Sequence, residues 1–124
     1  MTAILVPPTR SRTSSKCVYK ADDGALTSTR LLRMFEEARR DLSLQLTDSE
    51  GSGAGYDGLR IERDAIAAVE PGDVITVTAL VGKSRPRVHL VDYMATVSRE
   101  GHHGAQSLLA QAHGYSLATG DVRH

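Results

Sequence analysis

Between Thr27 and Leu46 the apolar residues recur with a helical period. Leu31, Phe35, Ala38 and Leu42 fall at i, i+4, i+7 and i+11, and Met34 widens the stripe. Arg33, Glu37, Arg40 and Asp41 take the other side, and Thr27 and Ser28 offer hydroxyls to the free N–H groups of the first turn. Glu36 with Arg40 and Glu37 with Asp41 are i,i+4 pairs; the first supports and the second opposes the helix by roughly a few tenths of a kcal/mol. Beyond the helix the period drops to two. Ile75, Val77, Ala79 and Val81 alternate with Val74, Thr76, Thr78 and Leu80, which predicts a strand over 74–81. Over 88–99, His89, Val91, Tyr93, Ala95 and Val97 share a face opposite Val88, Leu90, Asp92, Met94 and Thr96. The stretch 105–118 is rich in Ala and fits either period; Gly114 and Tyr115 favour a strand, with Leu108, Ala110, Ala112 and Gly114 on one side. A less regular strand starts near Tyr56 or Leu59 and would align Leu59, Ile61, Arg63, Ala65 and Ala67. Ser15 to Lys20 reads as a short first strand with Cys17 and Tyr19 together.

Turn residues divide these elements. Asp22-Asp23-Gly24 precedes the helix. Thr47 to Gly58 is a Gly/Ser/Asp loop, flexible at its centre. Glu70-Pro71-Gly72-Asp73 has Pro and Gly where a type II turn wants them, Gly82 to Pro86 links two strands, and Glu100-Gly101 begins the last turn. Residues 1–15, with Pro7-Pro8 and a polar run, read as a mobile arm; 16–120 form the domain and 121–124 a tail. The predicted order is strand, helix, then four strands in meander, an α+β layer with the helix on one face of a long antiparallel sheet. Open sheet edges are a liability unless paired, so a second copy of the chain is expected.

At 124 residues one domain with its own core is expected. Fifteen basic residues against fifteen acidic argue against nucleic acid as a partner. No run approaches the roughly 20 apolar residues of a membrane span, and no signal peptide is visible. The sole cysteine, Cys17, excludes an internal disulfide and suits the cytoplasm; it reads as a small apolar strand residue rather than a reactive thiol. With no Trp and one Phe, the core is built from small aliphatic side chains, which makes burial against a second copy attractive.

Several motifs together resemble the hotdog-fold thioesterases. RLLRM followed by FEEAR at 35–39 is similar to their central-helix motif Y-L-x-x-F-E-x-A-R. Asp22-Asp23-Gly24 resembles their acidic loop, and Glu70-Pro71-Gly72-Asp73 before VITVTALV their P-G-D turn and long strand. DYMATVSREGHHGAQSLLAQAHGY is similar to the next two strands, so the resemblance spans roughly residues 17 to 118. It implies a long curved antiparallel sheet around one helix, edge-to-edge dimers, and an acyl thioester of coenzyme A or acyl carrier protein held at the dimer interface near the helix N-terminus. The departure is at Thr27 or Ser28, where many members have His or Asn; this leaves room for a reaction other than hydrolysis. Gly24 to Phe35 and Gly55-Tyr56-Asp57 are more weakly similar to hotdog ammonia lyases, which act at the β-carbon of an acyl-CoA.

Thioester hydrolysis needs a carboxylate to activate water or attack, and donors for the developing oxyanion. Asp22 or Asp23 is the expected base or nucleophile, with helix-start amides at Thr27 and Ser28 as donors; equally, an Asp-Asp-Gly turn is ordinary loop chemistry. Glu36 borders the apolar stripe, where desolvation would tune it for acid–base work, or it is a surface partner of Arg40. Tyr56 and Asp57 suit β-addition or elimination, or Tyr56 packs on the sheet. Lys83, Arg85 and Arg87 would meet phosphates of coenzyme A or an acidic carrier protein, or simply solvate a hairpin. His89, on one strand face with Tyr93, reads as a hydrogen-bonded core residue rather than a catalyst, and Asp92 on the opposite apolar face has a similar ambiguity. His102-His103 and His113 lack metal-ligand spacing, so no metal is expected. The reading is an enzyme acting on an acyl thioester, most simply a thioesterase. It needs no cofactor beyond the coenzyme A or phosphopantetheine of its substrate, and works as a homodimer or homotetramer. β-addition or elimination on an enoyl thioester, and a non-catalytic acyl-binding module, are the alternatives.

Overall fold

The computed structural model describes residues 14–47, 49–85, 87–99 and 106–117. Its centre is helix α1, Ser28–Thr47, which buries Leu31, Met34, Phe35, Ala38, Arg39, Leu42 and Ser43 along one stripe. Thr27 caps it: the Thr27 hydroxyl accepts the Arg30 N–H at 3.1 Å, and its carbonyl accepts that of Leu31 at 3.1 Å. Five antiparallel strands pack against the helix. They are β1 (Ser14–Lys20), β2 (Ser52–Ile61), β3 (Val74–Arg85), β4 (Val88–Ser98) and β5 (Gln106–Leu117), in the spatial order β1-β3-β4-β5-β2. The buried face carries Ile75, Val77 and Ala79 of β3, Val91, Tyr93 and Ala95 of β4, and Leu109, Ala110 and Ala112 of β5. α1 touches all five strands, which gives the α+β arrangement of a long sheet around one helix that the sequence leads one to expect.

The 70–73 turn forms as predicted. Asp73 N–H donates to the Glu70 carbonyl at 3.0 Å, and Gly72 takes φ +94°. The Asp73 carboxylate also accepts the Glu70 N–H at 2.9 Å.

The second strand departs from the sequence reading. β2 begins at Ser52, inside the stretch taken as a loop, and ends at Ile61. Its backbone pairs with β5 through two bulges, one between Gly53 and Tyr56 and one between Asp57 and Arg60. Bulges and glycines erase the alternation that marks a strand in sequence. Arg63–Ala67 then coils into a short helix, α2, so Arg63, Ala65 and Ala67 do not continue the face of Leu59 and Ile61. Only β3-β4-β5 is a meander; β2 crosses to the far edge.

Three smaller corrections have local causes. β3 runs to Arg85 past a bulge between Val81 and Lys83, so the Gly82–Pro86 link is mostly strand. A bulge at the Ala95/Thr96 step of the β4–β5 pairing turns Leu109, not Leu108, fully inward. On α1, Glu36 pairs with Arg39 rather than Arg40. The predicted Glu37–Asp41 repulsion is offset by β1: Glu37 accepts the Tyr19 hydroxyl, and Asp41 accepts that of Ser15 at 2.6 Å. Burial first, and then the Glu37 carboxylate, push the Tyr19 phenol above its usual range.

Phe35 stands at the middle of the core, fully buried, its ring stacked on Tyr93 with centroids 5.2 Å apart and 6.1 Å from Tyr56. Phe35→Ala is expected to cost about 3–5 kcal/mol, read as a lower urea midpoint at constant slope. A Cβ at Gly114 would meet the Gly55 carbonyl at 2.9 Å and Tyr93 Cε2 at 2.9 Å. Gly114→Ala is therefore expected to cost roughly 1–3 kcal/mol in the same measurement although it removes no contact.

Candidate active site

The apolar stripe of α1 contains one cation. Arg39 lies four residues after Phe35 and is 2 % exposed. A buried guanidinium must have its charge and its N–H groups matched. Arg39 Nε donates to Glu36 Oε1 at 2.9 Å and Nη2 to Glu36 Oε2 at 2.6 Å, a two-pronged ion pair. Nη1 donates to the Glu50 carbonyl at 2.7 Å and to Ser116 Oγ at 3.1 Å. One side chain thus ties α1 to the segment entering β2 and to β5. The hydrogen bonds to Glu36 hold the guanidinium above its ordinary pKa against the opposing effect of burial.

Glu36 is fixed at both oxygens, yet its side chain is 41 % exposed. It opens on a cleft of about 350 Å³ lined by Glu36, Arg39, Gly53, Gly55, Tyr56, Tyr93 and Tyr115. Gly53 keeps the carboxylate accessible, since a Cβ there would stand 3.2 Å from Glu36 Oε1. The aromatic wall is interlocked: Tyr56 meets Tyr93 edge-on, centroids 5.5 Å apart at 72°, with Phe35 behind. Burial, then the Glu36 charge, raises the Tyr56 phenol; burial, then Tyr56, raises that of Tyr93. Both hydroxyls keep their protons and can donate hydrogen bonds. An anchored carboxylate facing hydroxyl donors across a small, partly apolar cleft is suited to activating water, or attacking, at a polar carbonyl.

The structure splits the residues expected from sequence into two groups. Glu36 and Tyr56 meet in this cleft. Asp22 lies by the start of α1, beside a hollow of about 60 Å³ that Arg30, Met34 and Ile75 also line. Its oxygens accept from Arg30 at 3.3 Å each and from the Gly24 N–H at 2.9 Å. Arg30 first, and Gly24 second, hold its carboxyl below the usual range. Asp23 is exposed, Thr27 caps the helix and Ser28 is its first residue. Glu36 stands eight positions after Ser28, about 12 Å along the helix axis. Asp57 pairs in register with His113, whose Nδ1 lies 2.6 Å from Asp92 Oδ1, both side chains being exposed. Asp92 is thus a surface partner, and His89 is half-buried. Arg87 is exposed with φ +70°. The side chains of Lys83 and Arg85, and all of His102 and His103, lie outside the described residues. Among the described residues no three metal-ligating side chains gather.

Arg39 and Tyr115 were not singled out from sequence. For Arg39 a signal existed: at i+8 from Leu31 and i+4 from Phe35, it is the charged residue inside the apolar stripe. Tyr115 carried none, because its contribution depends on where the bulged β2 places Tyr56.

No protein-family model and no curated protein matches the chain. Solved structures do. An acyl-CoA hydrolase from Staphylococcus aureus, in complex with butyryl coenzyme A, coenzyme A and coenzyme A disulfide, superposes with a TM-score of 0.71 at 13 % identity, over 91 % of this chain and 67 % of its own. A β-alanyl-CoA:ammonia lyase from Clostridium propionicum gives 0.70 at 10 % identity, over 86 % and 85 %. A hexameric thioesterase from Yersinia pestis gives 0.67 at 14 %, over 86 % and 87 %. The chain has the hotdog fold. At these identities the likeness concerns the path of the backbone, and the hotdog scaffold by itself fixes no reaction.

Within this hotdog domain Arg39 bridges α1, the Glu50 segment and β5. Arg39→Met is expected to lower stability by roughly 1–3 kcal/mol, because the Glu50 carbonyl and Ser116 hydroxyl lose their donor. Urea titration of R39M, S116A and the double variant checks this; the two effects should fall short of additive.

Proposed function

We propose that the chain is an enzyme acting on an acyl thioester of coenzyme A or acyl carrier protein, most simply by hydrolysis. The observation that carries the reading is the Glu36 carboxylate, pinned at both oxygens by a buried Arg39 and open to a cleft walled by tyrosines in a hotdog domain. Glu36 takes a proton from water as the water oxygen bonds to the carbonyl carbon and the C=O electron pair moves onto oxygen. The adduct then collapses, the C–S bond breaks, and the proton passes to the departing sulfur, leaving an acid and a free thiol. Tyr56 flanks Glu36 as a hydroxyl donor. Asp22, turned to Arg30, is the weaker candidate for base. Arg87, with Lys83 and Arg85, supplies charge for coenzyme A phosphates or an acidic carrier surface. No cofactor is needed beyond the coenzyme A or phosphopantetheine of the substrate.

The same carboxylate could instead take a proton α to the thioester carbonyl, with Tyr56 beside it. The structural likeness to an ammonia lyase, over 85 % of that chain, favours keeping this β-addition or elimination as the second reading. Strands β1 and β2 stand at the ends of the sheet, and a homodimer or homotetramer would pair an edge. The single thiol, Cys17, fits a cytoplasmic setting.

A panel of acyl-CoAs and acyl carrier proteins with a thiol reagent tests hydrolysis. Glu36→Gln is expected to cost about 10²–10⁴-fold in kcat, and Asp22→Asn and Asp23→Asn much less. No thiol release at any chain length would sink the hydrolytic reading. Adducts of the expected mass from enoyl-CoA with ammonia or glycine would then establish the second.

A further inference from the structure

The three tyrosines of the cleft differ in their access to water. Tyr56 and Tyr115 are 37 % and 38 % exposed, so solvent can satisfy their hydroxyls. Tyr93 is 3 % exposed, and its hydroxyl makes no hydrogen bond among the described residues. A buried hydroxyl without a partner is costly and calls for one. The ring cannot swing away to find it. Phe35 stacks on one face, Tyr56 abuts it edge-on, and Gly114 leaves no slack beside Cε2. The ring lines the cleft, and its hydroxyl is near enough to Glu36 and Arg39 to feel both charges.

Besides Tyr56 and Tyr115, whose hydroxyls are open to water, the donors near the cleft are committed or distant. Arg39 already directs four of its N–H groups to Glu36, Glu50 and Ser116. The free amides at the start of α1 lie about 12 Å from Glu36 along the helix. We propose that the Tyr93 hydroxyl is the group that donates a hydrogen bond to the acyl carbonyl oxygen of the substrate, strengthening as that oxygen gains charge. The inference rests on the thioester reading above and assigns to that cleft a donor built into β4. The site is preorganised: the ring is already immobilised, so no reorganisation accompanies the reaction.

The test uses an acyl-CoA analogue with CH₂ in place of sulfur, a ketone that binds but is not cleaved. Infrared difference spectra of the bound carbonyl are recorded for the wild type and Tyr93→Phe, beside kcat, KM and melting temperature. A carbonyl stretch shifted to lower frequency in the wild type and restored in Y93F is expected. With it should come a loss of about 10²–10³-fold in kcat, little change in KM, and a melting temperature unchanged or raised, since an unpaired hydroxyl has been removed. A wild-type carbonyl at its aqueous frequency, or unchanged kcat in Y93F, overturns the proposal without recourse to any variant's stability. A lowered melting temperature with unaltered carbonyl frequency would mean that the hydroxyl serves the fold, and overturns it too. Binding of the ketone with no spectral difference refutes the donor alone; failure of the wild type to bind it refutes the thioester reading from which the donor follows.

Discussion

A positive charge almost wholly removed from water sets the terms for this molecule. Burying a guanidinium costs several kcal/mol unless its charge and N–H groups are answered, so Arg39 constrains every group around it. Glu36 must stay within reach. The chain leaving α1 must bring the Glu50 carbonyl back to the helix. β5 must present Ser116 at its end. A leucine at this position would pack against neighbours in many ways; the guanidinium fixes one. It also faces the carboxylate towards the cleft rather than leaving it to swing in solvent.

The same constraint explains how the fold and the site divide in legibility. The helix, β3 and β4 were readable because their burial is one-sided and their periods are clean: Leu31 to Leu42 on one, Ile75 to Ala79 and Val91 to Ala95 on the others. The strand expected over 105–118 is found at Gln106–Leu117, although a bulge exchanges Leu108 for Leu109 on its inner face. β2 was legible only in part, from Tyr56 or Leu59 to Ile61; its start at Ser52 was hidden because its glycines and bulges follow from pairing with β5, about fifty residues distant, and blur the alternation. Its position beyond β5 was likewise invisible, since strand order is decided by packing rather than by local pattern.

For the site, Glu36 and Tyr56 could be named from sequence, but not that they face one another. That juxtaposition depends on the turn of chain at Glu50 and on the bulge before Tyr56. The Asp22–Asp23 loop looked more promising because acids just before a helix are conspicuous in one dimension. In three dimensions Arg30, in the first turn of the helix, occupies the Asp22 carboxylate. Arg39 shows the converse: a charge placed within an apolar stripe is easily passed over as noise, although such a residue must have a partner.

The attachment of β2 has a kinetic consequence. This strand pairs along one side only, with β5, and two bulges break even that ladder. Its three glycines surrender more chain entropy on ordering than any other residues would. Local breathing therefore begins here, ahead of β3 and β4, which are laced on both sides. The mouth of the cleft can loosen while the hydrophobic interior stays shut, held at its entry by the bonds from Arg39 to the Glu50 carbonyl and from Ser43 to the Ser49 carbonyl.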